Sequence, residues 1–160
     1  MTDDPRDKIR PVPLIPLIAD AKELAFAEFH RRLDCHGHDR IRDGHGCVFR
    51  FIDVEGTRLT TLADRAGFTK QAVGEIVDDL EQLGYAERIP DPSDRRAKLI
   101  RLTDRGLDAY GVGLEVFDEI EREWAERFGA ERVAVLRELL EELVAEELAG
   151  RLTVGAAPGE

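Results

Sequence analysis

All four histidines and both cysteines of this chain fall between residues 30 and 47: His30, Cys35, His36, His38, His45 and Cys47. Imidazole and thiolate are the groups that bind zinc and respond to oxidants, so this crowding raises metal or redox sensing. The spacing argues against a metal site. There is no Cys-x-x-Cys, and only His36-x-His38 is a close pair, whereas structural zinc sites draw on two close pairs. Cys35 has no obvious resolving partner. The expectation is a polar loop with a buried Cys47 and an interfacial histidine, with no metal and no cofactor.

A second set of residues suits hydrogen bonding to nucleic acid. Thr69, Lys70, Gln71 and Gly74 would lie at the start of one helix, away from its apolar anchors. Lys pairs with guanine edges and Gln with adenine edges. Gly74 would let the backbone approach closely. Glu75 either accepts from cytosine, or is a solvated acid or an intrahelical partner. Further on, Arg95 and Arg96 sit in a turn-rich loop, with Lys98 just after it. An arginine at the tip of a ribbon can enter a narrow minor groove. Asp94 beside them is expected to orient one guanidinium as a fork. Together with Thr60, these are the expected DNA-binding residues. The bland reading of the same residues is an αα-corner with a glycine turn, followed by a solvated hairpin.

The elements that must position this set can be read from periodicity. Leu14, Ile18, Ala21, Ala25, Phe29 and Leu33 mark one face of a first helix, starting near Pro13 and Pro16. A short helix is expected from about His45 to Ile52. Thr60 is expected to cap a helix over 61–66, ended by Gly67, and Thr69 a helix over 70–83, ended by Gly84. Ala63, Gly67 and Val73 stand four and six apart, as two helices in a tight turn require. Leu62, Ala66, Phe68, Ile76 and Val77 would complete their core. Tyr85–Ile89 and Lys98–Leu102 are strand-like runs around the loop Pro90–Ala97. Thr103 should cap a long helix bearing Leu107, Tyr110, Leu114, Phe117, Ile120, Trp124 and Phe128. Gly129 interrupts it before a last helix with Val133, Leu136, Leu140, Leu143 and Val144.

The fold class that follows is mainly α with a small β-hairpin wing: a winged helix-turn-helix with N- and C-terminal dimerisation helices. The domains are 12–43 (dimerisation helix and loop), 44–103 (winged helix-turn-helix), 104–150 (C-terminal dimerisation helices) and 151–160 (a disordered tail). Long apolar helical faces with little of the central module to cover imply a partner, most simply a second copy.

Net charge is −11, which by itself does not favour DNA. Its distribution is uneven. Residues 115–147 hold twelve acids and four arginines, a net of −8, while residues 84–106 hold six bases and four acids, a net of +2. The acidity sits on helices that need not face a duplex. No apolar run is long enough to span a membrane. The acidic start Met-Thr-Asp-Asp-Pro-Arg has no signal-peptide pattern, so a cytoplasmic protein is expected. Gly111-Val-Gly113 follows a helix and not a strand, and no dinucleotide loop, phosphate loop or nucleophile elbow occurs, so an enzyme is not expected.

Several stretches together resemble the MarR family of regulators. They are Arg58-Leu-Thr-Thr-Leu-Ala-Asp-Arg-Ala-Gly67, Thr69-Lys-Gln-Ala-Val-Gly74, Leu80-Glu-Gln-Leu-Gly-Tyr85, Asp91-Pro-Ser-Asp-Arg-Arg-Ala-Lys98 and Leu102-Thr-Asp-Arg-Gly106. The chain departs from that pattern at Asp43-Gly-His-Gly-Cys47, with two glycines where the second helix usually begins. The resemblance implies a homodimer on a pseudo-palindromic operator in double-stranded DNA. It implies that Arg95 or Arg96 enters the minor groove and that Asp94 braces it. It also implies a transcriptional repressor whose DNA affinity is modulated by a small-molecule effector. His30, His45 and Trp124 are the residues placed at such a pocket by position. The alternatives are a winged-helix protein-interaction module without DNA binding, or a metal- or redox-sensing variant of the regulator.

Overall fold

The computed structural model describes the backbone of residues 12–154 and the side chains of residues 12–146. The first eleven residues and residues 155–160 of the expected tail lie outside the described residues. The chain divides within one helix into two compact units, one ending at Val116 and one beginning at Phe117.

The first unit opens with α1, Leu14–Cys35, entered from Pro13 in an extended conformation. Its apolar stripe is used unevenly. Phe29 and Leu33 are buried, while Leu14, Ile15, Leu17 and Leu24 stand exposed. A 3-10 turn, Asp43–His45, then leads into α2, Gly46–Phe51. The helix expected over 45–52 is therefore shorter and preceded by a tighter turn. Gly44 and Gly46 explain this, because glycine gives up more backbone entropy in a helix than any other residue.

The helix-turn-helix consists of α3, Leu59–Ala66, and α4, Lys70–Gln82. Thr60 does not cap α3. The helix begins one residue before it, with Arg58 at the cap position and no side-chain cap. Between the helices Gly67 adopts φ +68°, the left-handed conformation that a side chain would strain. Leu62, Ala63, Val73, Val77 and Leu80 form the packed seam. Each fully buried leucine there contributes about 1.5–3 kcal/mol of apolar burial. Ile76 is only half-buried. Phe68, expected in this core, is 56% exposed, because the turn at Gly67 carries it outward.

The strands β2, Ala86–Asp91, and β3, Asp94–Leu102, form an antiparallel hairpin. A third strand was not expected. β1, Thr57–Arg58, pairs with β3 through Thr57–Ile100 and Arg58–Leu99, giving the order β1-β3-β2. Two residues cannot show an alternating pattern, so the sequence carried no signal for it.

The helix α5, Asp104–Phe128, starts at once after β3. The Thr103 hydroxyl accepts from the Gly106 N–H at 3.1 Å and donates to the Gly84 carbonyl at 2.6 Å, which caps the helix as expected. A Cβ on Gly106 would lie 2.0 Å from the Tyr85 carbonyl oxygen, so only glycine fits that approach. Within the first unit the inward face of α5 is small: Gly106, Ala109, Gly113 and Val116. The larger residues Leu107, Tyr110 and Leu114 lie on its exposed face.

The second unit holds the rest of α5 and the helix α6, Ala130–Val154, joined at Gly129 with φ +97°. Arg137 pairs with Glu121 across the two helices. Leu136, Leu140, Leu143 and Val144 are exposed. α6 continues through residues 151–154, where the tail was expected to begin, because nothing in Arg-Leu-Thr-Val breaks a helix. Among the described residues, no helix is long and apolar enough to cross a membrane.

Candidate nucleic-acid interface

The two ends of α4 are built differently. At its start the Thr69 hydroxyl accepts from the Ala72 N–H at 3.2 Å, so it caps the helix as expected. Lys70 and Gln71 follow, both exposed. The Gln71 amide donates to Glu75 Oε1 at 3.3 Å along the same helix. Gly74 looks toward α3, since a Cβ there would meet Leu59 Cδ2 at 3.7 Å, an ordinary contact. Thr60 is exposed at the start of α3.

At the other end each acid has a partner. Asp78 and Glu81 both pair with Arg88 of β2, the first at 2.8 Å. Asp79 meets His45 Nε2 at 2.8 Å. The acids that would repel phosphate are thus turned to the hairpin and to the turn before α2.

The wing shows the same division between held and open groups. Beside the turn that joins its strands, Asp91 is 6% exposed. Its Oδ1 accepts from the Ser93 N–H at 2.8 Å and the Ser93 hydroxyl at 2.7 Å, closing the turn. Its Oδ2 accepts from Arg58 Nε at 2.7 Å and Nη2 at 2.6 Å. The Ser93 contacts, and then Arg58, hold this carboxyl down at about 2. Since Arg58 also precedes α3, the ion pair ties the wing to the first helix of the motif.

On the other strand, just past the same turn, Arg95 and Arg96 are exposed, as is Lys98 opposite Pro90. Among the described residues no carboxylate forms an ion pair with any of the three, or with Lys70. Asp94 does not brace a guanidinium. Its Oδ1 accepts from the Arg96 backbone N–H at 3.0 Å. An aspartate two residues before an N–H reaches it with little loss of side-chain freedom, whereas folding an arginine back along its own strand loses much more. Asp94 therefore shapes the turn and leaves both guanidinium groups open.

The histidines and cysteines do not converge. His30 Nε2 lies 2.5 Å from Asp43 Oδ1, and His38 Nδ1 lies 3.2 Å from the Tyr85 hydroxyl. Cys35 is exposed and Cys47 half-buried. Burial pushes the Cys47 thiol up, away from reactive thiolate. Among the described residues no three metal-ligating side chains come together. His30 is half-buried and His45 buried in the first unit, and Trp124 is half-buried on α5 in the second.

Sequence reasoning found the exposed residues of this surface but missed what holds them. Arg58 and Asp91 are 33 residues apart, and His45 and Asp79 are 34 apart. No local pattern marks such pairs.

Residues 42–97 match the model of the MarR family. The chain is 24% identical over 106 residues to the transcriptional regulator HosA of Escherichia coli O111:H-, spanning 66% of this chain and 78% of that one. Its fold is similar to that of the transcriptional regulator PA4135, with a TM-score of 0.62 and 27% identity over 85% of this chain and 98% of the other. It is also similar to the transcriptional repressor CouR bound to a 23-mer DNA duplex, with a TM-score of 0.66 and 23% identity over 82% of this chain and 92% of the other.

Proposed function

We propose that this chain, a DNA-binding transcriptional regulator of the MarR family, is a homodimeric repressor that reads a pseudo-palindromic operator and is released by a small-molecule effector. The observation that carries the reading is the bare start of α4 beside a braced wing with open arginines. Lys70 and Gln71 enter the major groove, where side chains at the start of a recognition helix meet base edges. Arg95 and Arg96 reach the minor groove beside it. Thr60, Thr69 and Lys98 contact phosphates and fix the register.

The exposed apolar residues of α1 and α6 support a second copy of the chain as the partner that covers them. Two copies place two recognition helices on successive major grooves, about 34–36 Å apart. The operator is then an inverted repeat. An effector that alters that spacing weakens binding without touching the DNA.

The test is selection of genomic fragments with purified protein, followed by a salt titration on the best fragment. Enrichment of one inverted repeat, with affinity falling steeply as salt rises, supports the reading. A folded dimer that enriches nothing would favour a protein-interaction module.

A further inference from the structure

His45 is 4% exposed and lies in the 3-10 turn that leads into α2. The Arg42 backbone N–H donates to its Nδ1 at 3.1 Å. A backbone N–H can only donate, so Nδ1 must be the nitrogen without a proton. The ring proton then sits on Nε2 and is donated to Asp79 Oδ2 at 2.8 Å. The geometry therefore accepts one form of the ring, the neutral Nε2–H tautomer. One side of the ring holds the backbone of the turn, and the other holds the recognition helix. The turn is itself tied to α1 by His30 and Asp43.

We propose that neutral His45 is a positioning residue for DNA recognition: it sets α4 against the 42–45 turn, and DNA affinity falls when the ring gains a second proton. This rests on the DNA-binding reading above. A proton on Nδ1 would face the Arg42 N–H, donor against donor, where water has little access. Both groups would lose their partner, and the turn would have to move away. Other charges bear on the balance. Asp79 favours the protonated ring, but its side chain is 54% exposed, so solvent screens that attraction. From α1, His30 occupies Asp43. Asp78, beside Asp79 on α4, is held by Arg88. From α2, Arg50 stacks over Phe51, and the Cys47 thiol donates to the Gly44 carbonyl. None of these supplies an acceptor for a second ring proton.

The experiment compares the full chain with three variants on the selected fragment, at fixed salt. The range from about pH 8 to about pH 5.5 is the one over which histidine ordinarily changes charge. The wild type should lose about tenfold or more in affinity on acidification, as expected when a buried hydrogen bond is lost. His45→Ala should bind about tenfold more weakly already at about pH 8. His45→Gln should restore binding there, because its amide oxygen can accept from Arg42 and its NH2 can donate to Asp79, and it should lose the acid sensitivity. Asp79→Asn keeps an acceptor for Nε2–H without the charge that favours a second ring proton, so its acid loss should begin at lower pH. Amide exchange at Arg42 gives a readout that needs no DNA: protection should fall with acid in the wild type and not in His45→Gln.

The proposal is overturned if the wild type and His45→Gln lose affinity alike, if the Asp79→Asn profile does not move, or if Arg42 stays protected in acid. Acid-sensitive protection in a protein that binds no DNA at any pH would overturn the DNA-binding reading and leave the His45 link standing.

Discussion

The two ends of α4 carry similar densities of polar residues and use them in opposite ways. At the C-terminal end Asp78, Asp79 and Glu81 are engaged with Arg88 and His45, over the buried Val77 and Leu80. At the N-terminal end Lys70 and Gln71 reach outward beside the Thr69 cap, and Gln71 makes a contact with Glu75 along the helix. The wing repeats the contrast beside its turn, with Asp91 held at the end of β2 and Arg95 and Arg96 open at the start of β3. A surface built to read something else needs both. The open groups must be free to change partners, and the engaged groups must keep them from moving.

The sharpest way to break this contrast is to empty the engaged end. Leu80→Ala should cost about 2–5 kcal/mol in denaturant unfolding, since its side chain is wholly buried. A cost below about 0.5 kcal/mol would mean that the anchored end is not packed as described. Replacing Arg95 and Arg96 together by Ala should weaken DNA binding broadly across sequences and lower the salt slope by about 2, with unfolding little changed. An unchanged slope would remove the tip from the interface.

Thr69→Ala takes the cap from the open end and should cost about 1 kcal/mol of stability, read as a lower thermal midpoint. Asp91 gives a pH signature for the held side of the wing. Its carboxyl sits at about 2 in the folded chain against an ordinary 3.8. A depressed carboxyl stabilises above its unfolded value, so the contribution is complete above pH 3.8 and fades as pH falls toward about 2. Asp91→Asn should be less stable than the wild type at neutral pH, and the gap should close through that window. A gap that persists at the acid end would show that the charge is not what matters. The smallest effect on stability is expected from Gln71→Ala, within about 0.5 kcal/mol, while it relaxes preference at one base pair. Intact preference would mean that the reading face lies elsewhere on the helix.

What the sequence made legible were features written in adjacent residues. Gly67 marked the turn, and Thr69 and Thr103 marked caps, and each is found in place. Pro90–Ala97 marked the hairpin but not its extent: the strands run to Asp91 and from Asp94, leaving only Pro92 and Ser93 as the turn, because the Asp91 side chain closes it on Ser93. The surface residues followed, because a helix start is exposed once its cap is known. What stayed hidden were pairings closed by tertiary structure: Arg58 with Asp91, His45 with Asp79, and the two-residue strand at Thr57. Phe68 and Asp94 misled for a related reason. Residue type favoured burial for one and a guanidinium for the other, and local backbone geometry decided both.

Arg88 joins a strand of the hairpin to two acids of α4. On the reading proposed above, helix and hairpin then travel as one rigid gauge with a fixed distance between its two feelers. A gauge that cannot flex leaves the adjustment to the object measured. The duplex must supply the groove width and twist that bring both contact points into reach, and sequences differ in what that deformation costs them. Two operators with the same contacted bases and different central steps should therefore bind unequally, and equal binding would show that the gauge bends.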